Sequence, residues 1–195
     1  MTTSLRMTSA DLAAFPDDGK RYEIIDGELY VSKQPHLYHQ DSCLVLSARL
    51  LSWSEQTGLG RPFIAPGIIF ADDDDVAPDA VWVSNERLAA ALWSDGKLHA
   101  APELVVEVLS PGSRNQQRDR ELKLKLYSRR GVQEYWIIDW RLKQVLVYRR
   151  EDAQLKLVAT LYESDMLTSP MLPGFGCGVT DLFHRIPRVE ISDEE

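Results

Sequence analysis

Cysteine is scarce in this 195-residue sequence: Cys43 and Cys177 stand far apart, and neither has metal-ligand spacing around it. The pair gives no basis for a disulfide framework and suits small buried apolar residues in a reducing compartment. Long apolar runs are missing as well. No stretch approaches the ~20 residues of a membrane span, and the N-terminus lacks a signal peptide's apolar core, so a soluble cytoplasmic protein with no membrane partner is expected. Positive charge is also in deficit, with 22 Lys and Arg against 30 Asp and Glu and a formal net charge of -8. That argues against non-specific coating of nucleic acid, which needs a broadly positive surface, but leaves room for a local basic groove. Internal repeats and dividing linkers are absent too. The length suits a single domain over 1–195, with a disordered acidic end at Asp193-Glu194-Glu195.

Several elements can be read from pattern. Thr8 to Asp11 caps a short helix that Pro16 stops. Tyr22–Ile25 and Glu28–Val31 flank Asp26-Gly27, a dipeptide suited to the positive φ angles of a tight hairpin, so an N-terminal β-hairpin is expected. Apolar spacing from His36 to about Gln56 predicts a long helix covering one face of a sheet, ended by Gly58 and Gly60. Arg61 to Phe70 is β-rich but carries Pro62 and Pro66, which fits an edge or irregular strand. Asp72 to Asp75 lacks the alternating ligands and central glycine of an EF-hand and reads as a solvated turn. Further strands are expected at Ala80–Val83, Glu134–Asp139, Gln144–Tyr148 and Leu155–Leu161, with a helix from Asn85 to Trp93. Exposed apolar material such as Trp53, Trp93 and Trp140 offers a surface for a homodimer.

The most informative stretch runs from Pro102 to Ser110. Leu104, Val105, Val106, Val108 and Leu109 are apolar on both alternating faces, which marks a strand covered on both sides with Glu107 inside it. A carboxylate there must be paired, hydrogen-bonded or metal-bound, or else take up a proton. The next helix, from about Gln116 to Arg130, closes on Gly131. At 100° per residue its apolar arc contains Lys123, while Lys125, Arg118 and Arg129 fall on the outer face. Lys123 therefore turns toward the protein body; the alternative is a buried stem with the ammonium escaping to solvent or pairing with Asp119. Asp79, Glu107 and Lys123 would together make a site of two carboxylates and an ammonium. Such a set suits a magnesium ion that activates water and neutralises a phosphodiester.

Pro78-Asp79, Pro102 to Pro111, Asp119-x3-Lys123-x3-Tyr127 and Gly131 to Asp139 resemble the Uma-type restriction endonuclease family of the PD-(D/E)XK nuclease superfamily. The likeness extends to Tyr22–Leu29, to His39-Gln40 and to Leu172–Phe175, so it covers nearly the whole chain. It implies an α/β restriction endonuclease-like fold with a central mixed β-sheet flanked by helices. It also implies an endonuclease acting on nucleic acid, in the first place DNA, with Mg2+ (or Mn2+) held by Asp79 and Glu107. In the superfamily's simplest pattern the lysine sits two residues after the glutamate, where this chain has Leu109. The resemblance moves that lysine to Lys123 and suggests Glu23 as a further acidic group.

For substrate contacts the sequence offers Arg114 and Arg118 on a locally basic helix, Tyr127 with its hydroxyl at the site edge, and His39 at the start of the long helix. For His39 the alternative is a capping or surface role. Tyr135 and Trp136 are expected in the sheet core rather than as stacking platforms. The rival to an enzyme is a non-catalytic nucleic-acid- or protein-binding module that keeps the nuclease fold.

Overall fold

The structure, a computed structural model, describes residues 6–16, 18–112 and 116–183. The expected disordered acidic end and Arg114 lie outside these residues. The helices are α1 (Ser9–Leu12), α2 (Leu37–Thr57), α3 (Asn85–Ala91) and α4 (Lys123–Arg130), the last entered through a π-helical turn at Arg118–Leu122. Among the described residues the strands form a four-stranded sheet, a six-stranded sheet and a two-stranded ribbon.

The four-stranded sheet has the order β2-β1-β5-β4, with β1 Arg21–Ile25, β2 Glu28–Ser32, β4 Ile68–Ala71 and β5 Asp74–Val76. The β1–β2 hairpin turns at Asp26 and Gly27, whose φ angles of 52° and 77° are the positive pair the dipeptide predicts. The six-stranded sheet has the order β10-β9-β8-β7-β6-β3. Its strands are β3 Gly60–Ile64, β6 Ala80–Ser84, β7 Leu104–Val108, β8 Glu134–Asp139, β9 Gln144–Glu151 and β10 Gln154–Tyr162. β7 runs parallel to β8 and antiparallel to β6, so the sheet is mixed. β3, which carries Pro62, and β4 are both edge strands, as a proline-interrupted stretch requires.

The period of two along β7 divides the core. Leu104, Val106 and Val108 pack with Leu46, Leu50 and Trp53 of α2. Val105 and Leu109 pack with Leu126 and Tyr127 of α4. Each face of the sheet thus has its own helix, and Glu107, in step with Val105 and Leu109, points to the α4 side.

Two expectations need correction. Only the first half of Asp72–Asp75 is the expected turn, with Asp72 exposed in it; Asp74 and Asp75 are buried in β5. Arg129 and Arg130 bond to Asp74, while Lys97 and the Ser9 hydroxyl bond to Asp75, so neither carboxylate is left uncompensated. Of the three tryptophans expected at the surface, only Trp93 is exposed. Trp53 and Trp140 are core residues whose indole N–H groups donate to the carbonyls of Pro173 (3.1 Å) and Leu109 (2.9 Å), which lets the rings go under.

Candidate active site

The strand alternation of β1 places Arg21 and Glu23 on one face. Arg21 Nη1 donates to the Ala77 carbonyl at 2.9 Å and to Asp79 Oδ1 at 2.8 Å. Glu23 Oε1 accepts from the Ala77 N–H at 3.0 Å and from Lys123 Nζ at 2.9 Å. Its Oε2 is buried without a hydrogen bond from the described residues, the Arg118 Nη1 lying 3.9 Å away. Asp79 stands just before β6, and its Oδ2 accepts from the Val108 N–H at 2.8 Å and lies 3.0 Å from His39 Nε2.

Lys123 Nζ donates to Glu107 Oε1 at 2.8 Å, and the Tyr127 hydroxyl donates to the same oxygen at 2.9 Å. The inward direction read from the helical angle is therefore correct. The Asp119 ion pair offered as its alternative is the longer contact, at 4.0 Å. Arg118 departs from the angular reading. Its side chain is turned in, bonding Asp119 Oδ1 at 3.0 Å and the Ser32 hydroxyl at 2.9 Å. The cause is the π-helical turn, in which the Lys123 N–H bonds to the Arg118 carbonyl five residues back. Each residue there turns the chain less than in an α-helix, so Arg118 rotates toward the buried face.

Four buried carboxylates, Glu23, Asp79, Glu107 and Asp119, gather around the cations Arg21, Arg118 and Lys123. With all four ionised, one negative charge would be in surplus among these residues. Burial pushes the Glu107 carboxyl up to about 8 against the pull of Lys123, with Asp79, Asp119 and Glu23 adding to the rise. Burial likewise raises Asp119. Burial opposes ionisation of Glu23 and Asp79 too, but it is outweighed, by Lys123 and Arg118 for the first and by His39, Arg21 and Lys123 for the second, so both sit below the usual carboxylate range. Burial alone would strip the Lys123 proton; Glu107, Glu23 and Asp119 overcome it and keep the ammonium charged.

A cavity of about 150 Å³ opens here, walled by Arg21, His39, Asp79, Glu107, Arg118 and Asp119 among others. Lys123, Glu23 and Tyr127 form no part of that wall. The hydrogen bonds to Glu107 from described residues fall on Oε1, leaving Oε2 without one. Three hard carboxyl groups on one cavity, Asp79, Glu107 and Asp119, fit a divalent cation.

His39 is neither the helix cap nor a surface group, since His36 caps α2 and the His39 ring is buried against Asp79. Tyr135 and Trp136 are core residues as expected. The basic helix is less free than its sequence suggests. Arg120 pairs with Asp139, and Arg129 and Arg130 with Asp74. The sequence reading misses Arg21 altogether and gives Asp119 only as an ion-pair partner. Both had signals: Arg21 lies two residues from Glu23 on one strand, and Asp119 one helical turn before Lys123.

A mixed sheet with a helix on each face, carboxyl groups from the entrance of β6 and from the adjacent β7 on one cavity, and a helical lysine bonded to the second of these carboxyls are consistent with the restriction endonuclease-like class. The chain belongs to the Uma2 family, whose model, described as "Putative restriction endonuclease", matches residues 9–180. The fold is shared with the crystal structure of "a putative nuclease belonging to DUF820" from Anabaena variabilis ATCC 29413. That structure aligns with a TM-score of 0.73 and 18% identity over 91% of this chain and 98% of that one. No curated protein matches the sequence.

Proposed function

We propose that the protein is a divalent-metal-dependent endonuclease that hydrolyses phosphodiester bonds of nucleic acid, with DNA as substrate and Mg2+ or Mn2+ as the ion. The reading rests above all on one observation: Asp79 and Glu107 wall the same cavity while Lys123 holds Glu107 from behind at 2.8 Å. Asp79 and Glu107 would hold the ion. When bound, it supplies an activated water and neutralises charge on the phosphodiester. Lys123 and Tyr127 fix the Glu107 carboxyl through Oε1, and Lys123 also carries the charge of Glu23. Lys123 and Tyr127 thus act through Glu107 rather than on the substrate, and Glu23 acts through Lys123. Arg118, at the wall, presents guanidinium donors to a phosphate oxygen.

Incubation of the purified protein with DNA and Mg2+ or Mn2+ should give metal-dependent cleavage that Asp79→Asn and Glu107→Gln each abolish. Cleavage absent with both ions, or unchanged in both variants, sinks the proposal.

A second reading, a non-catalytic binding module, is favoured by the same charges. Glu23 and Arg21 both bond the Ala77 backbone, and the cluster ties β1 to β6 and β7, a structural task that needs no catalysis. Calorimetric titration with Mn2+ separates the two, because the nuclease reading requires binding that Glu107→Gln removes.

A further inference from the structure

Beside the carboxyl groups of Asp79, Glu107 and Asp119, the described part of the cavity wall holds one imidazole, that of His39. The His36 ring accepts from the Tyr38 N–H at 3.2 Å and starts α2, which places His39 in the helix's first turn. The His39 ring is 4% exposed, and its Nε2 is 3.0 Å from Asp79 Oδ2. We propose that His39 is a direct nitrogen ligand of the ion held at Asp79, and that it biases this site toward Mn2+ over Mg2+. The inference deepens the metal-dependent reading above and rests on it.

Three observations carry it. The first is spacing. Neighbouring ligands ~2.1 Å from an octahedral ion are about 3.0 Å apart, the separation already present between Nε2 and Oδ2. An ion can replace the proton between them with neither side chain moving far. The second is the far side of the ring. His39 Nδ1 lies 3.8 Å from Cys43 Sγ, and the potential ligand atoms of His39, Cys43 and Asp79 all fall within 4.8 Å of one another. The Cys43 sulfur thus faces the ring nitrogen opposite the one that meets Asp79. A metal-bound imidazole is commonly fixed through its other nitrogen in this way. The third is access, since His39 and Asp79 wall the same cavity as Glu107. Imidazole nitrogen suits transition ions better than it suits Mg2+, which is held chiefly by oxygen and its own waters.

The test uses the full chain loaded with Mn2+ and read by pulsed electron paramagnetic resonance, with calorimetry alongside. The spin echo should carry modulation from a directly bound imidazole nitrogen. Labelling only histidine with 15N in the unaltered protein should convert that pattern, which requires no variant to fold. His39→Gln, which keeps a donor toward Asp79 without an imidazole, should remove it. The same variant should weaken Mn2+ by about tenfold or more and Mg2+ by much less, in line with the 10- to 100-fold that perturbing metal sites typically costs. If Mn2+ binds in an Asp79-dependent way without histidine modulation, His39 is not a ligand; the inference is overturned and the metal-dependent reading stands. If Mn2+ does not bind, or binds equally well to Asp79→Asn, both are overturned.

Discussion

Lys123 has no contact with water, and its ammonium is shared by Glu107 at 2.8 Å and Glu23 at 2.9 Å. Removing one partner of a buried ion pair costs far more than removing the pair, because the charge left behind has lost its compensation. Lys123→Met keeps the volume and removes the charge. It should destabilise the protein by about 3–5 kcal/mol in urea denaturation at neutral pH. Adding Glu107→Gln to that variant should restore part of the loss, since one of the two buried carboxyl groups left without the ammonium is gone. The two effects must therefore be non-additive. A Lys123→Met cost below about 1 kcal/mol, or strict additivity with Glu107→Gln, would mean that the lysine carries no structural charge.

At the scale of elements, the N-terminal hairpin positions two of the cluster's residues, Arg21 and Glu23, through a turn at Asp26-Gly27. Gly27 has φ 77°, and a Cβ there would meet Arg6 Nε at 2.7 Å. Gly27→Ala should cost about 1–2 kcal/mol through the left-handed backbone alone. Thermal unfolding should show the loss while β7 and α4 keep their amide protection in hydrogen exchange. The dipeptide announced this hairpin because the turn's requirement is local. Lys123 was equally legible, because a regular helix repeats every 100° and the apolar arc fixes what faces in. Arg118 was not: a π-helical turn breaks that repeat and brings the guanidinium to Ser32, a partner distant in the chain that no local pattern encodes. Asp74 and Asp75 failed for a related reason. A run of aspartates looks solvated until partners distant in the chain arrive, Arg129 and Arg130 of α4 for Asp74 and Lys97 and Ser9 for Asp75.

At the scale of the whole molecule, a net charge of -8 means that the nucleic acid of the proposed function would have to be met locally. Among the described residues the cations on the cavity wall are Arg21, Lys33 and Arg118, and the remaining arginines of the basic helix are spent on carboxylates. Each phosphate neutralised contributes about -0.9 to the slope of log K against log salt. DNA binding by the Glu107→Gln variant, followed by fluorescence anisotropy in Ca2+, should therefore show a slope no steeper than about -3. Arg118→Ala should make it shallower by about one such contact. A slope near -6 or beyond would require a positive track elsewhere on the surface.

The Ala77 peptide links all of this, its N–H bonded to Glu23 and its carbonyl to Arg21 where the chain leaves β5 for β6. The polar cluster is thus also the clasp between the two sheets. Selection for a foldable chain alone would preserve the buried charges long after cleavage had ceased to matter, because discarding any one of them strands the rest. In descendants of this sequence, loss of function should therefore begin with the residues on the cavity wall that fasten nothing, and reach Lys123, Glu23 and Glu107 last.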